Sequence, residues 1–252
     1  MRFIIEQSDE TLTTHSGLSL VGLLLDKTNL GIRLNQTIVP GVSTRISRIV
    51  MWPIHTSVYF ARVRATSTTL SRFVRMIFFA ALQIANVPSS PTLRQRFDMA
   101  APESNWESVI LEESANLLHD FDVTVSPVHL GQDKERSYVP LDIDVSPFDN
   151  SGTKKQGVSR TYKGHDGYAP IFAYLGLEGY AVHVNLREGS THCQKGTAEF
   201  LAESIRYAKR ITSLPLLLRL DAGNDSVDNL VVCRSEELVI WYIHTIFDEN
   251  PL

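Results

Sequence analysis

The stretch from Val139 to Pro170, VPLDIDVSPFDNSGTKKQGVSRTYKGHDGYAP, constrains the fold more than any other part of the chain. It opens with apolar and acidic residues in alternation: Leu141, Asp142, Ile143, Asp144, Val145. Successive side chains of an extended strand point to opposite faces. Leu141, Ile143 and Val145 therefore share one face, and Asp142 and Asp144 the other. Two carboxylates on one face are unfavourable unless solvated, protonated or bound to a cation. The polar segment that follows carries Lys154, Lys155, Arg160 and Lys163, and no acidic residue falls between Asp149 and Asp166. An acidic strand beside a basic loop suits a divalent cation next to a phosphate backbone, since the cation needs hard oxygen ligands and the phosphates need positive charge. An edge strand with its aspartates in water, beside a solvated loop, fits the same pattern, and the pattern by itself leans slightly that way.

Longer blocks shift the balance. LDIDVSPFDNSGTKKQGVSRTYKGHDGYAPIFAYLG, LREGSTHCQKGTAEFL and LLLRLDAGNDS follow one another in order, with VPSSPTLRQRFD upstream and LTTHSGLSLVGLLLDKTNLG near the start. Through these blocks, with gaps, from about Val87 to Ser226, the chain resembles the DDE transposases of bacterial insertion sequences. These are cut-and-paste enzymes with a ribonuclease-H-like catalytic domain. The resemblance implies an α/β fold: a mixed ribonuclease-H-like sheet, incomplete here, over residues 131–252, preceded by a mostly helical DNA-binding region over residues 1–130.

The elements read as follows. Ser16 can cap a helix carrying Leu18, Leu20, Val21, Leu23, Leu24 and Leu25 and ending near Gly31. Ser90 and Pro91 form a good helix start, from which Arg94 and Arg96 project. The resemblance puts these arginines in a DNA-binding part, where phosphate contact and plain solvation are equal readings. Asn105 to Phe121 has Trp106, Ile110, Leu117, Leu118 and Phe121 at helical spacing. A polar connection from Asp120 to Pro140 leads into the acidic strand. Tyr168–Leu175 and Tyr180–Leu186 read as strands joined by Gly176-Leu177-Glu178-Gly179. Thr197 to Arg210 reads as a helix with Phe200, Leu201, Ile205 and Ala208 on one side, and Leu214 to Leu220 as an apolar strand ending at Asp221. Periodicity alone gives mixed α/β. The resemblance adds the topology, with the first three strands antiparallel and the fourth parallel to the first.

Composition narrows the rest. A formal charge of −4 argues against a uniformly basic nucleic-acid binder. From Lys27 to Phe97 there are ten Lys/Arg and no Asp or Glu. Part of that window, residues 44–85, departs from the acidic helices the resemblance implies. Ala65 to Leu70 back-translates so that a neighbouring frame reads Ser-Asp-Phe-Asp-Asn-Ile, so this segment is expected to be out of frame, with Trp52, Phe78 and Phe79 poorly buried. Two cysteines, Cys193 and Cys233, give neither a disulfide framework nor a zinc site. The start, MRFIIEQSDE, lacks the form of a signal peptide, and the apolar runs are too short or too interrupted for a membrane span, so a cytoplasmic protein is expected.

The chemistry implied by the resemblance is strand cleavage and transfer in double-stranded DNA at transposon terminal inverted repeats, by a homodimer when intact. Two Mg²⁺ (or Mn²⁺) ions would be held by Asp, Asp and Glu. By motif position the two aspartates are Asp144 and Asp221, brought together at neighbouring strand ends. Asp142 is second shell or structural, and the carboxylates of Asp225 and Asp228 are ordinary loop charges. Lys154, Lys155, Arg160 and Lys163 join Arg94 and Arg96 as DNA contacts. The third carboxylate is expected beyond residue 252, and the tail LVIWYIHTIFDENPL departs from the family pattern. A truncated, inactive copy is therefore expected, with Glu236 or Glu237 as unfavoured substitutes. A non-catalytic DNA-binding or regulatory fragment is the second reading, and a compact nuclease with its own third acid the third. His165, His183 and His192 match no metal-ligand spacing and read as surface or loop histidines. No nucleophile-elbow sequence is present for a Ser/His/Asp hydrolase.

Overall fold

The computed structural model describes residues 24–25, 27–37, 98, 106–130, 136–236 and 239–243. The window 44–85, Ser16, Ser90, Arg94, Arg96 and Glu237 lie outside the described residues. The chain divides into two compact units, Met1–Glu113 and Ser114–Leu252.

In the first unit, helix α1 (Leu30–Gln36) is tied to the opening turns of helix α2 (Trp106–Asp120) by charge. Arg33 donates to Glu113 at 2.8 Å and to Glu112 at 2.6 Å, and the Asn29 backbone N–H donates to Glu113 at 2.9 Å. Of the helix expected to end near Gly31, residues 24–25 are helical; a turn over residues 27–29 follows, and α1 begins at Leu30. Thr28 explains the break. Its hydroxyl donates to the Leu25 carbonyl and accepts the Leu30 N–H, local bonds that compete with a continuous helix.

The second unit is built on strand β2 (Ser137–Val145). Short strand β1 (Val128–His129) pairs antiparallel with its start, so the expected polar connection before Pro140 contains sheet. Strand β6 (Ile171–Leu175) runs antiparallel to β2 on one side, followed by β7 (Tyr180–Asn185), again antiparallel. Strand β8 (Leu216–Asp221) lies parallel to β2 on the other side, with β9 (Val239–Ile243) parallel beyond it. The order β7-β6-β2-β8-β9, three strands antiparallel and the next parallel to the first, is the mixed-sheet order that the resemblance leads us to expect. Parallel neighbours need crossovers. Helix α3 (Thr197–Ile211) precedes β8, and helix α4 (Val227–Ser235) connects β8 to β9.

Alternation decides which face is core. Leu141, Ile143, Ile171, Ala173, Leu218 and Leu220 are buried, as are Phe200, Leu201, Ile205 and Ala208 of α3, the residues the helical spacing singled out. Asp142 and Asp144 occupy the opposite face of β2.

Between β2 and β6 the expected basic loop is itself structured. Strands β3 (Phe148–Asp149), β4 (Ser159–Arg160) and β5 (Asp166–Tyr168) form a second sheet in the order β3-β5-β4. Tyr168 therefore ends β5, and the run expected as one strand from Tyr168 to Leu175 is two. Pro170, which has no N–H to give to a ladder, stands between them, and its carbonyl accepts from the Ser146 N–H at 3.0 Å. Glycine makes the small sheet possible. A Cβ on Gly167 would fall 1.8 Å from the Phe148 carbonyl oxygen.

Among the described residues no helix is long and apolar enough to cross a membrane.

Candidate functional site

The parallel register of β2 and β8 brings the two predicted aspartates together. Asp142 pairs with Arg219 and Ile143 with Leu220, and Asp144 and Asp221 each follow by one residue where the two strands end. Paired residues of parallel strands point to the same face, and the Arg219–Asp142 ion pair on that face bears this out. Both Asp144 and Asp221 are exposed. Two like charges in neighbouring positions repel, and an intervening cation relieves that repulsion.

Each carboxylate has one oxygen engaged. Ser146 Oγ donates to Asp144 Oδ2 at 3.0 Å. Asn224 Nδ2 donates to Asp221 Oδ1. The other oxygen of each remains for a ligand. Two exposed, oriented hard-oxygen donors fit a divalent cation such as Mg²⁺ or Mn²⁺. Among the described residues no group of three His, Cys, Asp or Glu side chains could hold a metal.

Asp142 is structural, as one of its two expected roles has it. Both its oxygens accept from Arg219, which holds the guanidinium above its ordinary pKa. Glu236 is turned to another partner, 2.5 Å from Lys209 Nζ.

The small sheet delivers further groups. Tyr162, 71% exposed, reaches the Val145 carbonyl through its hydroxyl at 3.4 Å. Desolvation of that hydroxyl, then the nearby charges of Asp144 and Asp221, push its pKa up, so it keeps its proton beside the carboxylates. Lys163 lies 5.9 Å from the Tyr162 ring centroid. Arg160 makes an exposed 3.5 Å pair with Asp166, and Lys154 and Lys155 are exposed. Four predicted cations thus sit on the same ribbon as a tyrosine that senses both aspartates.

On the far side of Asp221, Cys193 Sγ donates to the Gly223 carbonyl at 2.9 Å and Gln194 Nε2 to the Asp225 carbonyl at 3.1 Å. Arg187, buried and lowered in pKa by desolvation, donates to the Cys193 carbonyl and to Thr197 Oγ1, each at 3.2 Å. Ser146, Tyr162, Asn224 and Arg187 were not singled out by sequence. Ser146 and Asn224 lie two and three residues past the aspartates, and that spacing was their only signal.

His183 corrects an expectation. It is buried in β7, stacked on Phe200 with ring centroids 4.1 Å apart, and its Nδ1 lies 2.9 Å from Ser204 Oγ. The apolar face of α3 covers it, which β-alternation around a single histidine could not reveal. Cys233 is also buried, and desolvation raises its thiol to about 11, so it is an inert packing residue.

Comparison with known proteins gives three findings. Residues 57–247 match the family described as transposase DDE domain group 1, well over half of the chain. That span includes residues 57–85 of the window expected to be out of frame. It also runs through most of the tail expected to depart from the family, where β9 extends the sheet. No curated protein matches. Among solved structures, the Mos1 transposase paired-end complex with left transposon end is 11% identical, with a TM-score of 0.29, over 75% of this chain and 57% of that one. The crystal structure of the Mos1 mariner paired end complex with Mn is 11% identical, with a TM-score of 0.28, over 91% of this chain and 78% of that one. The chain thus spans little more than half the length of the first.

Proposed function

The chain belongs to the transposase DDE domain group 1 family, and from that premise we propose that it carries part of the DNA strand cleavage and transfer centre of an insertion-sequence transposase. Asp144 and Asp221 are the cation ligands in this reading. The observation that supports it is their placement side by side at the ends of parallel strands, beside a ribbon of Lys154, Lys155, Arg160 and Lys163.

Each residue then has a task. Ser146 and Asn224 orient the carboxylates. Tyr162, kept protonated, can turn its one O–H from the Val145 carbonyl to a phosphate oxygen. The ribbon cations neutralise phosphates of double-stranded DNA at the terminal inverted repeats and set its register without reading sequence. Asp144 and Asp221 would hold a Mg²⁺ or Mn²⁺, which would supply Lewis-acid stabilisation of charge on the reacting oxygens. Full two-ion chemistry asks for a third carboxylate, and among the described residues none stands with this pair. Pairing of two copies on two transposon ends belongs to the same proposal.

The second reading is a DNA-binding fragment without cleavage. It is favoured by one observation: among the described residues two carboxylates stand together without a third metal-ligating group.

The experiment is a Mn²⁺ titration and a cleavage assay on duplexes taken from the flanks of the coding gene. Asp144→Asn and Asp221→Asn are expected to lose Mn²⁺ binding. The 252 residues should bind duplex DNA without cutting it. Cleavage by the 252 residues that disappears in Glu236→Gln or Glu237→Gln would overturn this assignment of ligands.

A further inference from the structure

Asn224 ends the short 3-10 turn Ala222–Asn224 that follows β8, and it is fully buried. Its Nδ2 donates to Asp221 Oδ1, while its Oδ1 is buried and meets no donor. Native proteins leave few buried acceptors unpaired, and each such atom asks for a reason. Turning the amide over does not supply one, because it would set the carbonyl oxygen against a carboxylate oxygen, acceptor to acceptor. The orientation is therefore dictated by Asp221, at the expense of the amide's own oxygen.

The turn has little freedom to relieve this. Asn229, buried in α4, donates from Nδ2 to the Asn224 carbonyl at 2.7 Å. From the opposite side Cys193 and Gln194 hold the Gly223 and Asp225 carbonyls, and Arg187 holds Cys193 in turn. The side chain of Asn224 is thus fixed with its N–H at one oxygen of Asp221.

We propose that Asn224 is a positioning residue for Asp221. It occupies Oδ1, fixes the carboxylate's rotation and leaves Oδ2 as the oxygen presented to a divalent cation. The proposal rests on the reading of Asp144 and Asp221 as cation ligands. It adds that the geometry of one ligand is set by a buried amide whose unpaired oxygen serves no purpose in packing.

The test uses the 252-residue chain and two readouts: Mn²⁺ affinity, from electron paramagnetic resonance of free Mn²⁺, and thermal melting in metal-free buffer. Asn224→Leu keeps the volume close, removes the orphan oxygen and removes the donor. It is expected to melt at or above the wild-type temperature while its Mn²⁺ dissociation constant rises about tenfold, the usual scale for losing a group that orients a ligand. Asp221→Asn should lose Mn²⁺ binding. Wild-type affinity in Asn224→Leu, with binding lost in Asp221→Asn, overturns the positioning role alone. Unchanged affinity in Asp221→Asn overturns the ligand assignment beneath it. Early melting of Asn224→Leu in step with weakened binding marks Asn224 as structural and also overturns the proposal. Should the leucine variant not fold, Asn224→Ala, which leaves space instead of a misfit, carries the same comparison.

Discussion

Arg219 on β8 grips both oxygens of Asp142 on β2 through Nε and Nη2, at positions paired in the parallel register. Two residues further along the same strands stand Asp144 and Asp221. The ion pair therefore neutralises the carboxylate nearest the candidate cation site and pins the register that makes the site.

Replacing Arg219 by Met should strand the Asp142 carboxylate, which is about one-third exposed. Solvent screening keeps the loss modest, on the order of 1 kcal/mol. Urea unfolding of Arg219→Met, Asp142→Asn and the double variant would measure it. The double variant should lose less than the sum of the singles. Strict additivity would mean that the two side chains do not interact.

His183 should make stability depend on pH. Burial lowers its pKa below the ordinary 6.5 and outweighs Glu203, which lies 3.5 Å from Nε2 and raises it, while Arg206 lowers it further. A depressed histidine is neutral in the fold and takes its proton more readily unfolded. Its contribution is therefore complete above pH 6.5 and is lost as pH falls below that value. Melting temperatures between about pH 7.5 and 5.5 should fall more steeply in the wild type than in His183→Gln. Parallel slopes would remove the assignment.

Gly167→Ala should open the small sheet and spare the large one. The new methyl would meet backbone of Phe148, which has no side-chain freedom with which to yield. Amide exchange should accelerate over residues 148–149, 159–160 and 166–168 while β2, β6 and β8 stay protected. Equal protection in all strands would show that the ribbon tolerates the change.

The ribbon cations should be read out by salt. With Lys154, Lys155 and Lys163 all changed to Ala, the plot of log affinity for duplex DNA against log salt should flatten by about 0.9 for each cation that touches a phosphate. An unchanged slope would place the DNA elsewhere on the protein.

Much of the site was legible along the chain because strand physics is local. Alternation put Asp142 and Asp144 opposite Leu141, Ile143 and Val145, and helical spacing named the buried face of α3 before any coordinates were needed. The long blocks of family resemblance carried the order of strands and the choice of Asp144 and Asp221. Tertiary structure decided the rest, because it depends on neighbours remote in sequence. Asp142 and Arg219 are 77 residues apart, and only the register of β2 with β8 made them a pair and left Asp144 for a ligand. The loop from Ser146 to Gly167 read as polar coil, since two- and three-residue strands leave too short a period to recognise. Its folding carried Tyr162 back to the carboxylates. His183 and Asn224 look like ordinary polar residues in the sequence. Burial gave one a depressed pKa and the other an unpaired oxygen, and burial is a property of the packed fold that no single stretch of chain contains.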